Sequence, residues 1–124
     1  MTAISGKLLG GLLAASRSAY ESEKTHEFSC FLLAEDGVIV EFWLGPGTIA
    51  SERYALLRLY NLPIDFRRVG TAHSHPSGNN HPSDEDLRLF AQTGQVHIIM
   101  GYPFDKNSWR AYSRYGEEIH LDVA

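Results

Sequence analysis

His73-Ser74-His75-Pro76-Ser77-Gly78-Asn79-Asn80-His81-Pro82-Ser83-Asp84-Glu85-Asp86 is the stretch from which the fold can be read. Residues 69–74, which lead into it, have the character of a strand, and Pro76 ends the ladder because it has no N–H to donate. Residues 75–82 are rich in Pro, Gly and Asn and read as a loop. Ser83 followed three residues on by Asp86 has the spacing of a helix N-cap and its N3 partner, so residues 84–93 are expected to be helical, with Gly94 as the stop. Residues 96–101 are apolar and return as a buried strand. The result is a strand-loop-helix-strand unit.

Outward from that unit, Ile4, Leu8 and Leu12, with Leu9 and Leu13, recur at helical spacing behind a cap at Ser5, predicting a helix over residues 5–20. Gly10 and Gly11 each weaken it by about 1 kcal/mol relative to alanine, which suggests close approach to a sheet. Residues 28–34 are expected to form a buried strand, Asp36-Gly37 a tight turn, and residues 38–43 the returning strand. Residues 50–60 satisfy both helical and alternating templates. Residues 109–115 and 118–123 read as a hairpin turning at Gly116. Interleaved strands and helices make the class α/β with a mixed sheet.

The chain has 124 residues, 44% of them hydrophobic and 21% charged, without repeats or a linker, so one domain over residues 1–124 is expected. A domain of this size buries roughly two-thirds of the surface that its unfolded chain exposes. A single cysteine, Cys30, excludes a disulfide framework and any site of paired thiolates, and points to a reducing, cytoplasmic setting. Eleven Lys and Arg against fifteen Asp and Glu, a net charge of −4, argue against nucleic acid as the main partner. No apolar run approaches the ~20 residues of a membrane span.

Residues two apart on a strand share a face, so His73 and His75 can present two imidazoles to one metal ion. Asp86 falls in the first helical turn, where the helix dipole favours a carboxylate. Two histidines and one carboxylate leave a fourth zinc position for water, the pattern of a catalytic site. Glu27, at the entrance to the first buried strand, is the candidate general base. Plainer readings exist for each residue. Ser83 with Asp86 is a complete helix cap without any metal, the histidines fit a half-buried strand, and Glu27 fits a solvated strand end. His26, His97 and His120 are read as non-ligands, His81 as a loop residue near the site, and Cys30 as a small core hydrophobe.

The whole set resembles a family. His-x-His-Pro, six residues, Ser, two residues, Asp, with an upstream Glu in an apolar strand, is similar to the signature of the JAMM/MPN+ zinc metalloproteases, and especially to their compact archaeal and prokaryotic members. The resemblance implies that His73, His75 and Asp86 hold one Zn2+, that Glu27 activates water, and that Ser83 orients that water and donates to the developing oxyanion. It implies a cytidine-deaminase-like fold, a curved mixed β-sheet flanked by helices, with residues 50–60 as a strand. It also implies an isopeptidase acting after the C-terminal glycine of ubiquitin-like small modifier proteins, either conjugated to lysine or linearly fused. Two other functions fit the same resemblance: a peptidase releasing an amino acid from a sulfur-carrier protein, and a non-catalytic MPN interaction module. Trp43, Tyr60 and Trp109 are candidates for a homodimer contact, and core packing accounts for them equally well.

Overall fold

The computed structural model describes residues 3–23, 27–44 and 68–124. Its elements, in chain order, are β1 (Ala3–Ile4), α1 (Gly6–Ser22), β2 (Ser29–Glu35), β3 (Val38–Trp43), β4 (Arg68–His75), α2 (Asp84–Thr93), β5 (Val96–Gly101), β6 (Trp109–Ser113), β7 (Glu118–Ile119) and β8 (Asp122–Val123). Residues 50–60 and Tyr60 lie outside the described residues, as does His26.

Ser5 caps α1 by accepting from the amide of Leu8, as its position predicts. Among the described residues the glycine pair does not make the expected close approach. A Cβ on Gly10 would meet nothing within 4 Å, and one on Gly11 would make only ordinary contact, 3.9 Å, with Phe42. Helix α1 is instead held by its apolar stripe, since Leu8, Leu9, Leu12 and Leu13 pack with Cys30, Leu32, Ile98 and Met100 in the main core. Between β2 and β3, Asp36 and Gly37 both have positive φ, 52° and 81°. This is the backbone twist that a two-residue hairpin needs.

Among the described residues the sheet has eight strands, in the order β7-β6-β5-β4-β2-β3-β1-β8. Strands β4 and β5 are parallel and joined through α2, while β2 runs antiparallel to β4 on its other side. The expected single strand over residues 118–123 is in fact two. Glu118 and Ile119 pair with β6 at one edge, whereas Asp122 and Val123 pair with β1 at the other. Laid flat, eight strands would hold those edges more than about 30 Å apart. His120 and Leu121 can bridge only about 10 Å, so the sheet must curl back on itself. Helix α1 covers one face of the curl. Helix α2 covers the other, where Phe31 meets Leu89 and where Phe90, Ile99 and Tyr112 pack together. Strand β4 is therefore central in the sheet, and its carboxyl end opens beside the start of α2, the place where α/β sheets expose their ligand sites.

Candidate metal centre

The end of β4 delivers His73 and His75 to the α2 face. His73 is fully buried and the side chain of His75 is 13% exposed. Their Nε2 atoms lie 3.2 Å apart, and the Asp86 carboxylate faces both, with Oδ1 3.1 Å from His73 Nε2 and Oδ2 3.2 Å from His75 Nε2. One ligand atom from each of the three residues lies within 4.8 Å of the others.

Asp86 is aimed by the helix cap. Ser83 Oγ accepts the Asp86 amide at 3.1 Å, and Asp86 Oδ2 accepts the Ser83 amide at 2.9 Å, a reciprocal capping box. The cap and the cluster are thus one structure, and the capping reading of Ser83 and Asp86 holds. Burial acts to raise the Asp86 carboxyl, but hydrogen bonds from His73 and His75, the charge of His73 and the Ser83 amide outweigh it and hold the group well below the usual carboxylate range. Burial acts to lower His75, and the Asp86 and Asn79 hydrogen bonds, with the charges of Asp86 and Glu27, prevail and raise it.

The donor chemistry fits a divalent cation. His75 Nδ1 lies 2.7 Å from the Asn79 carbonyl, an acceptor only, so Nδ1 carries a proton and Nε2 is the ring atom left to face a cation. A divalent cation would take the place of the proton that Nε2 shares with Asp86 Oδ2 at 3.2 Å. The loop that supplies Asn79 is tied down next door: Asn80 accepts from Arg110 Nε at 2.9 Å through Oδ1 and from the Tyr112 hydroxyl at 2.8 Å through its carbonyl.

Glu27 reaches the same place through strand register. Ser29 stands across from His73, and the Ser74 amide donates to the Phe28 carbonyl at 2.8 Å, so Glu27 is the next residue along, opposite His75. It is half-buried, and its charge contributes to raising His75. The Ser74 hydroxyl accepts the Phe28 amide at 2.8 Å, which fixes the backbone directly after Glu27. Ser83 is exposed at the mouth.

Sequence reasoning missed Ser74 and Asn79. For Ser74 a signal existed, because a polar side chain alternating with the two histidines must point into the opposite, apolar face and find a partner there. For Asn79 there was none, since the group used is a backbone carbonyl. Among the histidines read as non-ligands, His97 lies in the core, flat against Phe90 with centroids 4.2 Å apart, and hydrogen-bonds Thr71 Oγ1 and the Gly94 carbonyl. His120 is exposed beside Asp122, and His81 is an exposed loop residue. Cys30 is fully buried, and burial pushes its thiol up, as expected of an inert core residue. Trp43 packs on Phe31, and Trp109 packs against the main core.

An α/β domain with a curled mixed sheet and a His-His-Asp cluster at a strand-to-helix junction defines a class of candidate metalloenzymes. A family model described as prokaryotic homologs of the JAB domain matches residues 62–115. A JAB1/MPN domain protein from Archaeoglobus fulgidus is 39% identical, with a TM-score of 0.78 and 99% of each chain covered. A structure described as a metalloprotease-like zinc site in the proteasome and signalosome, JAMM, is 36% identical, with a TM-score of 0.78, 100% of this chain and 98% of that one covered. A probable metalloprotease of Haloferax volcanii is 42% identical over 86 residues, 69% of this chain and 53% of that protein, so the chain spans about half the length of this curated relative. A protein from Desulfitobacterium hafniense, 22% identical with a TM-score of 0.62 over 100% of this chain and 93% of its own, shares the fold. The chain belongs to the JAB1/MPN (JAMM) family and matches its prokaryotic branch.

Proposed function

We propose that the chain is a zinc-dependent isopeptidase that cleaves after the C-terminal glycine of small ubiquitin-like modifiers, conjugated to lysine or linearly fused. The observation that carries this reading is the convergence of two imidazole Nε2 atoms and one carboxylate at the end of β4, with Glu27 across the strand pair from His75. The name of the Haloferax relative and the zinc site of the JAMM structure support it.

His73, His75 and Asp86 would hold the zinc, which when bound supplies Lewis acidity toward the scissile carbonyl and an acidified water. Glu27 takes the proton of the attacking water as the C–O bond forms, then delivers it to the departing amine as the C–N bond breaks. The products are a free carboxylate on the modifier and a free amine on its target. Ser83 Oγ already accepts the Asp86 amide, so its own proton remains available to the carbonyl oxygen as negative charge gathers there. No acyl-enzyme is required.

β4 is hydrogen-bonded on both sides, by β5 and β2. A substrate tail therefore cannot add beside β4 as a further strand, and an approach across the strand ends is the route proposed. A narrow Gly-Gly tail suits that approach, because it brings main-chain donors and acceptors without side-chain bulk.

The test is incubation of the full chain with a panel of modifier conjugates, linear fusions and aminoacylated sulfur-carrier proteins, with and without chelator, beside Glu27→Gln. We expect chelator-sensitive cleavage of the conjugates, and a Glu27→Gln variant that keeps zinc but loses roughly 10²–10⁴-fold in turnover. Turnover unchanged in that variant removes Glu27 from the mechanism. Cleavage confined to the sulfur carriers assigns the other peptidase function, and zinc-free protein that stays inactive after zinc is added assigns an interaction module.

A further inference from the structure

The two histidines of the cluster differ in what stands behind them. His75 has an acceptor for its Nδ1 proton, the Asn79 carbonyl at 2.7 Å. His73 has none. Its Nδ1 is buried without a hydrogen-bond partner, and the one other buried side-chain atom so placed among the described residues is Ser29 Oγ. The two orphans are cross-strand neighbours, with Ser29 paired to His73 in the β2–β4 register, and both residues are fully buried. Since the neighbouring pair, Phe28 and Ser74, is the hydrogen-bonded one, Ser29 and His73 form a non-hydrogen-bonded pair, the kind in which side chains approach more closely. Both project to the α2 face, where Phe31, two residues after Ser29, meets Leu89.

We infer that Ser29 is the positioning residue for His73, accepting its Nδ1–H over a single water or after a turn of its own side chain, and so keeping Nε2 directed toward Asp86 and the metal position. The physical reason is tautomer control. An imidazole that ligates through Nε2 must carry its proton on Nδ1, and a buried N–H left without an acceptor is destabilising. A serine hydroxyl offers two acceptor lone pairs and a rotor that needs little space to turn. One hydrogen bond between them satisfies both buried groups at once.

The inference rests on the metal-site reading above, and its test separates the two. Zinc affinity is measured by competition with a chromophoric chelator for the full chain and for Ser29→Thr and Ser29→Val, which have the same shape and differ in the hydroxyl. Histidine ring 15N spectra of the zinc-loaded proteins are recorded alongside. We expect one zinc per chain, an affinity preserved in the Thr variant and reduced about 10–100-fold in the Val variant, the usual cost of losing an outer-shell partner of a ligand histidine. The spectra should show a protected His73 Nδ1 proton in the wild type and in Ser29→Thr that exchanges rapidly in Ser29→Val, while the His75 Nδ1 proton, held by Asn79, stays constant in all three. A wild-type chain that takes up no zinc overturns the metal-site reading itself. Zinc uptake by the wild type with equal affinity in the Thr and Val variants, or an unchanged His73 Nδ1 signal in the Val variant, overturns the role of Ser29 and leaves the metal site standing.

Discussion

Asp86 has one carboxylate and three calls on it: Oδ1 faces His73, while Oδ2 faces His75 and takes the Ser83 amide. Ser83 likewise serves the helix through its oxygen lone pair and the proposed chemistry through its proton, and substitution can separate the duties. Ser83→Ala should lose about 1 kcal/mol of stability with the cap, whereas Ser83→Gly should lose only a few tenths. Both should lower turnover by roughly 10²–10³-fold, as removal of an oxyanion donor does. Denaturant melts and steady-state assays of the pair check this, and a glycine variant with wild-type turnover would show that the proton is not used. Ser74→Ala should leave the buried Phe28 amide without its acceptor, costing about 1–3 kcal/mol in urea unfolding. At this scale the sequence carried much of the placement. The geometry of His73, His75 and Asp86 follows from strand alternation and a cap spacing, both local rules. The Ser29–His73 relation was not legible, because it depends on which strand lies beside β4 and in what register.

Among the elements, those whose patterns are local agree closely with expectation: β3, α2 and β5 run over the residues anticipated for them, and α1 starts behind Ser5. The departures have tertiary causes. Residues 118–123 alternate as one strand would, yet the curl of the sheet shares them between two edges. The glycines divide in the same way. Gly10 sits on the exposed side of α1 with open space around it, so Gly10→Ala should stabilise the protein by up to about 1 kcal/mol, read as a rise in the urea midpoint. Gly70 is the opposite case. A Cβ there would lie 1.6 Å from the Val96 carbonyl oxygen of the neighbouring strand, so Gly70→Ala should cost about 3 kcal/mol or more in the same measurement. Gly94, at φ 135°, closes α2 against the start of β4, where a Cβ would lie 2.3 Å from the Val69 carbonyl oxygen. Nothing in the sequence around Gly10 and Gly70 tells these roles apart.

For the molecule as a whole, acid sensitivity should have a component that no catalytic group supplies. Burial foremost lowers His97 from the ordinary 6.5 to about 4 in the folded state. The unfolded chain therefore takes up that proton first, so the stability contributed by neutral His97 is complete above about pH 6.5 and is lost as pH falls toward 4, a change of about 3 kcal/mol. Urea melts of metal-free protein across that range should show the wild type losing about that much more than His97→Gln, and parallel curves would refute the assignment. The described helices bear on location in one respect only, since none is long and apolar enough to cross a membrane. The curl has its own mechanical meaning. His120 and Leu121 act as a clasp joining two rims of the same sheet, and Leu121 is itself buried. An open sheet can fray at one rim and leave the other intact, but a clasped one passes the disturbance around the ring, so amide exchange at Ile119 and at Val123 should quicken together.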